Sequence, residues 1–172
     1  MKKILAALCM LALMAVPAIA EETEVIEEET YRFVVQVLSG EESADVILGV
    51  DMDTAAAVAL LGEPAGYFES ESCAFQGMDK VYTYPSFVIN TYPQEGLDLI
   101  LSVYLMDDMY TTEAGAYIGM HLDEITAIYG EPAKTAEGSV TYEKGGCALA
   151  FMHDADGYVN AITYTSIAAS AQ

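Results

Sequence analysis

The residues of this chain able to do proton-transfer, nucleophilic or metal chemistry are two histidines, three cysteines and 27 aspartates and glutamates. Their spacing composes no known reactive set. His121 and His153 stand far apart, and neither belongs to an H-E-x-x-H pair. His121 opens a predicted helix and His153 a turn, where exposed polar residues are expected. A cysteine nucleophile needs a base to draw off its proton. Cys73 has no histidine near it in sequence, and His153 after Cys147 does not by itself make a pair. No C-x-x-C, G-x-S-x-G or phosphate loop occurs. Asp154-Ala155-Asp156-Gly157 invites a calcium reading, but with Gly157 at the sixth loop position the first and last ligands fall on Met152 and Thr163, which supply no carboxylate. That segment reads as a strand-to-strand turn. The catalytic, metal and cofactor expectation is therefore none. Carboxylates are too numerous for any pair to stand out, so a carboxylate-dependent hydrolase stays open only as a second alternative.

Two further residue sets carry information. The chain has 12 tyrosines and no tryptophan. Tyr82 and Tyr84 share one face of a strand by its period of two. Tyr92 and Tyr104 could line the same sheet, and Tyr142 and Tyr164 take related places later in the chain. Either these six rings cover the core or they form an aromatic surface for a protein or peptide partner. Cys73 and Cys147 are the two cysteines outside the N-terminal segment. They form a candidate disulfide, with two buried thiols that never meet as the alternative. A bridge between such distant positions would contribute about 3–4 kcal/mol.

The N-terminus has the pattern of a signal peptide over residues 1–20. Lys2 and Lys3 precede an uncharged apolar stretch, Ile4 to Val16, and Ala18-Ile19-Ala20 offers a cleavage site. The run is short for a membrane span. Leu8 before Cys9 is too large for a lipobox. The expected localisation is export: extracellular, periplasmic or wall-associated. Removal of the segment leaves four basic residues against 27 acidic ones, a net charge of −23. Such a surface repels nucleic acid and anionic lipid. It leaves attraction to a basic partner, or weak cation binding, open. No second apolar run of spanning length follows.

The elements that must position these residues are read from a duplication. Leu61-Gly62-Glu63-Pro64-Ala65 and Tyr129-Gly130-Glu131-Pro132-Ala133 copy one another, and Met52 and Met120 keep the same offset. In each copy the glycine and proline follow a helical stretch and stop it. Thr54 to Leu61 is the first helix, capped by Asp51 or Asp53. Leu122, Ile125, Ile128 and Tyr129 set the stripe of the second. Strands are expected at Lys80–Tyr84, Phe87–Tyr92 and Leu97–Leu105, and again at Ser139–Tyr142, Cys147–Met152 and Tyr158–Tyr164. Residues 65–78 read as a long loop. Residues 31–38 and 45–50 read as an N-terminal hairpin. The expected fold class is α+β: two tandem repeats, each a short helix followed by a three-stranded antiparallel sheet, with that hairpin in front. The expected organisation is a signal peptide (1–20), a disordered acidic leader (21–30), a first unit with the hairpin (31–106), a linker (107–116), a second unit (117–167) and a tail (168–172).

The set Gly119-Met120, Gly130-Glu131-Pro132, Tyr142, Leu149-Ala150-Phe151, Asp156-Gly157-Tyr158-Val159 and Ile162 resembles a module shared by the β-lactamase inhibitor protein family and the small outer-membrane assembly lipoproteins. The first copy is similar through Met52, Gly62-Glu63-Pro64, Tyr84 and Val103. The stretch from Ser72 to Tyr84 resembles exported bacterial proteins of unassigned function. The resemblance implies helical elements packed on antiparallel sheet. No inhibitory residue of the inhibitor family is matched here, and the missing lipobox departs from the lipoproteins. The functional expectation is an exported, non-enzymatic protein-binding or scaffolding module of the bacterial cell envelope, contacting its partner through the sheet face opposite the helices. The alternative is a secreted enzyme inhibitor.

Overall fold

Two apolar runs rich in β-branched residues build the first element as expected. In the computed structural model, Arg32–Ser39 (β1) and Glu42–Gly49 (β2) pair antiparallel, with Phe33 opposite Leu48 and Val35 opposite Val46. These four side chains are buried and form the hairpin's inner stripe. The structure describes residues 29–39 and 42–171. The signal-peptide segment, all of the leader except Glu29 and Thr30, and the tip of the hairpin turn lie outside the described residues.

Two short helices follow the same local plan. Asp53 caps α1 (Thr54–Leu61) by accepting from the Ala55 N–H at 3.4 Å, and the Gly62 N–H closes it on the Val58 carbonyl at 3.1 Å. His121 caps α2 (Leu122–Tyr129): its Nδ1 accepts from the Asp123 N–H, and Glu124 accepts from the His121 N–H at 3.1 Å. The Gly130 N–H then closes α2 on the Thr126 carbonyl at 2.8 Å. Gly62 and Gly130 take φ of 79° with ψ of −166° and −152°, a region nearly closed to residues with a Cβ. The shared Gly-Glu-Pro-Ala stretches thus turn the chain out of each helix in the same way.

After α1 come β3 (Gly66–Glu71), β4 (Met78–Thr83), β5 (Phe87–Gln94) and β6 (Leu97–Leu105). After α2 come β7 (Lys134–Ala136), β8 (Ser139–Lys144), β9 (Cys147–His153) and β10 (Val159–Ser166), and a last turn of helix, α3 (Ile167–Ser170), follows. The expectation of two α+β units with three strands each is overturned. About half the chain is strand, and eight strands form one continuous antiparallel sheet in the order β3-β4-β5-β6-β10-β9-β8-β7, beside the separate two-stranded hairpin. Two physical reasons account for the difference. First, β3 and β7 are the outermost strands and are almost wholly exposed. Polar edge strands carry no apolar alternation, so residues 65–78 read as loop. Second, β6 and β10 pair with each other, Val103 opposite Tyr164 and Leu105 opposite Ile162. That pairing satisfies two edges that separate sheets would leave open.

The core lies on one face of this sheet. Phe87, Ile89, Val103, Leu105, Leu149 and Phe151 point into it and are at most 3% exposed. The hairpin covers the middle, where the Phe33 ring meets Phe87 and Tyr110 at 5.3 Å and Tyr164 at 6.1 Å. Helix α2 covers one flank through Ile125 and through Tyr129, which packs on Tyr142 and Phe151. Helix α1 covers the other through Ala57 and Thr54, whose hydroxyl donates to the Asp98 carbonyl at 2.8 Å.

The candidate disulfide is also corrected. Cys73 and Cys147 are free thiols, the first exposed in the β3–β4 loop and the second buried at the start of β9. Strands β5, β6 and β10 separate those parts of the sheet. At about 4.8 Å per strand this exceeds the reach of a disulfide.

Candidate partner surface

Every strand that sends one side chain into the core sends the next to the opposite face. On that face Val88 lies opposite Tyr104, and Tyr104 opposite Thr163 across the central pair. Asn90 donates to the Ser102 hydroxyl at 2.9 Å. Thr163 pairs with Ala150, and Thr165 with Ala148. These residues are half-buried, and the apolar residues of the hairpin, α1 and α2 pack into the core on the other side of the sheet. The face is left open at its centre and closed at two corners. At one corner Phe75 from the β3–β4 loop packs on Tyr92 at 4.8 Å. At the other, α3 flanks the strands and leaves a recess of about 420 Å³ lined by Thr141, Ala148, Thr165 and Ile167.

The composition of the open face departs from the chain around it. None of its residues in β5, β6, β9 or β10 is charged, in a chain of net charge −21. The charges sit at the rim. Lys134 and Glu143 pair at 2.6 Å on the outer strands. Exposed Glu71, Glu95 and Glu143 lie toward one set of strand ends, and Asp108, Glu137, Asp154 and Asp156 toward the other.

The six candidate tyrosines separate by face and depth. Tyr84 stacks on Phe87 at 4.9 Å, and its hydroxyl donates to the Gly62 carbonyl at 3.2 Å. Tyr142 does the same to Gly130 at 3.2 Å. Tyr164 is 1% exposed. Tyr92 lies on the open side but is covered by Phe75; its hydroxyl donates to Asp51 at 2.8 Å, and burial together with that bond pushes its pKa up to about 12. Tyr82 is half-buried on the inner side beside Tyr67, and burial raises its pKa. Orientation or burial thus takes Tyr84, Tyr92, Tyr142 and Tyr164 out of the open face. Tyr104 is the one of the six on the open face and within reach of a partner. The small residues around it were not singled out from sequence. Ala148 and Ala150 carried the available signal, since alanine is a poor strand former and its alternation with Leu149 and Phe151 marks a face left unfilled.

The other chemistry-bearing residues serve local structure. Asp154 accepts from the N–H groups of Asp156 and Tyr158 at 3.0 and 2.9 Å, which makes its segment a side-chain-closed turn. His153 Nδ1 lies 2.8 Å from the Asp154 carbonyl. Burial pushes the Cys147 thiol up to about 12, far from nucleophilic. Among the described residues no group of three His, Cys, Asp or Glu could hold a metal, and no helix is long and apolar enough to cross a membrane. Compared with family models, curated proteins and solved structures, the chain matches none.

Proposed function

We propose that this chain is an exported, non-enzymatic protein-binding module of the bacterial envelope, and that the open sheet face around Tyr104 is its docking surface. The observation that carries the reading is the uncharged face on so acidic a chain. Desolvating it on docking strands no charge, which is what an interface centre requires. The acidic rim specifies the occupant: a folded protein with an uncharged patch ringed by lysine and arginine. The four uncharged strands at about 4.8 Å, with about 17 Å of open strand, give a centre on the order of 330 Å², and the outer strands and flanking turns supply the rest of the contact. A standard interface takes about 800 Å² per partner. The recess beside α3 offers a seat for an anchoring side chain. Among the described residues no Asp or Glu is buried as a whole, and the buried Oδ1 of Asp79 has no hydrogen-bond partner, so the hydrolase alternative has no carboxylate pair to rest on.

The test is capture from the native envelope fraction with four forms of the mature chain. The unaltered form and a helix-side control, Thr126→Arg, should retain the same partner. Thr163→Arg should lose it, and Tyr104→Ala should weaken it about ten-fold, while all keep the same circular dichroism and melting temperature. A partner held equally by the Thr163→Arg form would overturn the assignment of this face. If the partner is an enzyme whose turnover falls on docking, the module is an inhibitor.

A further inference from the structure

A second site lies on the other side of the molecule. The cleft there has a volume of about 290 Å³. It opens between the N-terminal segment, the loop before α2, the end of α2 and the β8–β9 turn. Arg32 and Lys144 line it, two of the six lysines and arginines in the chain. Glu113 lines it as well, and Tyr31, Ile128 and Leu149 supply apolar wall. Tyr164 also lines it, and the Tyr164 hydroxyl is fully buried with no hydrogen-bond partner among the described residues. An unmade hydrogen bond at a buried hydroxyl is costly, and a ligand oxygen would satisfy it.

The charges identify the ligand class. The Glu29 carboxylate lies 2.8 Å from Lys144 Nζ, and the Thr30 hydroxyl donates to the Lys144 carbonyl at 3.3 Å. The N-terminal segment thus presents a carboxylate of its own to the cleft's cation. A free anion would have to approach against the field of a strongly acidic protein. A zwitterion carries no net charge and meets no such barrier. We propose that the cleft binds a small zwitterion with an apolar body, an α-amino acid of leucine or phenylalanine size. Its carboxylate is taken by Arg32, Lys144 and the Tyr164 hydroxyl, its ammonium by Glu113, and its side chain by the apolar wall. Glu29 is the internal competitor that the ligand displaces. The cleft is at the small end of ligand pockets, which suits an amino acid.

The mature protein is titrated with L-phenylalanine, 3-phenylpropionate and phenethylamine, followed by amide chemical shifts. Phenylalanine should give saturable shifts at Arg32, Glu113, Tyr129 and Lys144, and bind about ten-fold tighter than either singly charged analogue. Glu29→Gln should tighten phenylalanine binding by removing the competitor. Tyr164→Phe should weaken it about ten-fold while leaving the melting temperature unchanged or raised, because no hydrogen bond is lost from the free protein. Should that variant fail to fold, Arg32→Gln reads the same loss from the exposed side. Three results would each overturn the proposal: no saturable shift up to the solubility limit of phenylalanine, 3-phenylpropionate binding as tightly as phenylalanine, or unchanged binding in both Tyr164→Phe and Arg32→Gln.

Discussion

Two tyrosine hydroxyls on two glycine carbonyls are the most economical contacts in the molecule. Tyr84 holds Gly62 and Tyr142 holds Gly130, both at 3.2 Å, and each bond locks a helix end onto the sheet that follows it. Tyr84→Phe and Tyr142→Phe should each cost about 1 kcal/mol in urea unfolding. Gly62→Ala and Gly130→Ala should cost about 1–3 kcal/mol each, through the backbone alone, since a Cβ at either position meets nothing within 4 Å. The glycine half of this device was legible in sequence, because Gly and Pro after an apolar stretch act locally. The tyrosine half was not, because a hydroxyl's partner is set by the tertiary fold. Other buried groups fix the alkaline limit. Burial pushes Tyr92 and Cys147 up to about 12 and raises Tyr164 as well. A raised folded pKa contributes stability that is present below the unfolded value and lost as pH climbs toward the folded one. The urea midpoint should therefore hold steady from about pH 7 to 8 and fall between about pH 9 and 12.

At the scale of elements, sequence reads buried structure well and edges poorly. Helix α2 and the inner strands announce themselves through apolar periodicity, as at Ile125, Ile89 and Val103, the hairpin through its β-branched and aromatic runs, and α1 through its alanines, its cap and the glycine and proline that stop it. β3 and β7 expose nearly every residue, so nothing in their pattern distinguishes them from loop. For the same reason the open face had no apolar signature beyond Tyr104. This difference should be measurable as hydrogen exchange. Amides of β5, β6, β9 and β10 should exchange slowest, through global opening, and those of β3 and β7 fastest among the strands, through local fraying. The hairpin should belong to the slow group, because the Phe33 ring touches two sheet residues and Tyr110. Phe33→Ala should then cost about 3–5 kcal/mol and speed exchange across the sheet and the hairpin together. Fast exchange confined to β1 and β2 in that variant would show instead that the hairpin is an independent lid.

At the scale of the whole molecule, charge acts in two opposed ways, and salt separates them. With the N-terminal segment removed, 27 acidic residues face four basic ones. Self-repulsion among them opposes the compact state, while the acidic rim of the open face draws a basic-rimmed partner toward it. Raising ionic strength from 0.01 to 0.1 M shortens the screening length from about 30 to about 10 Å, which weakens both effects. The melting temperature of the isolated module should rise with salt, by about 2–4 °C for each 1 kcal/mol of repulsion screened. Over the same range the association rate with the captured partner should fall by about ten-fold, its dissociation rate changing little. A partner whose association is indifferent to salt would still fit the uncharged centre of the face but not the acidic rim. The rim would then serve colloidal solubility alone, and the partner's identity would have to be sought in shape rather than in charge.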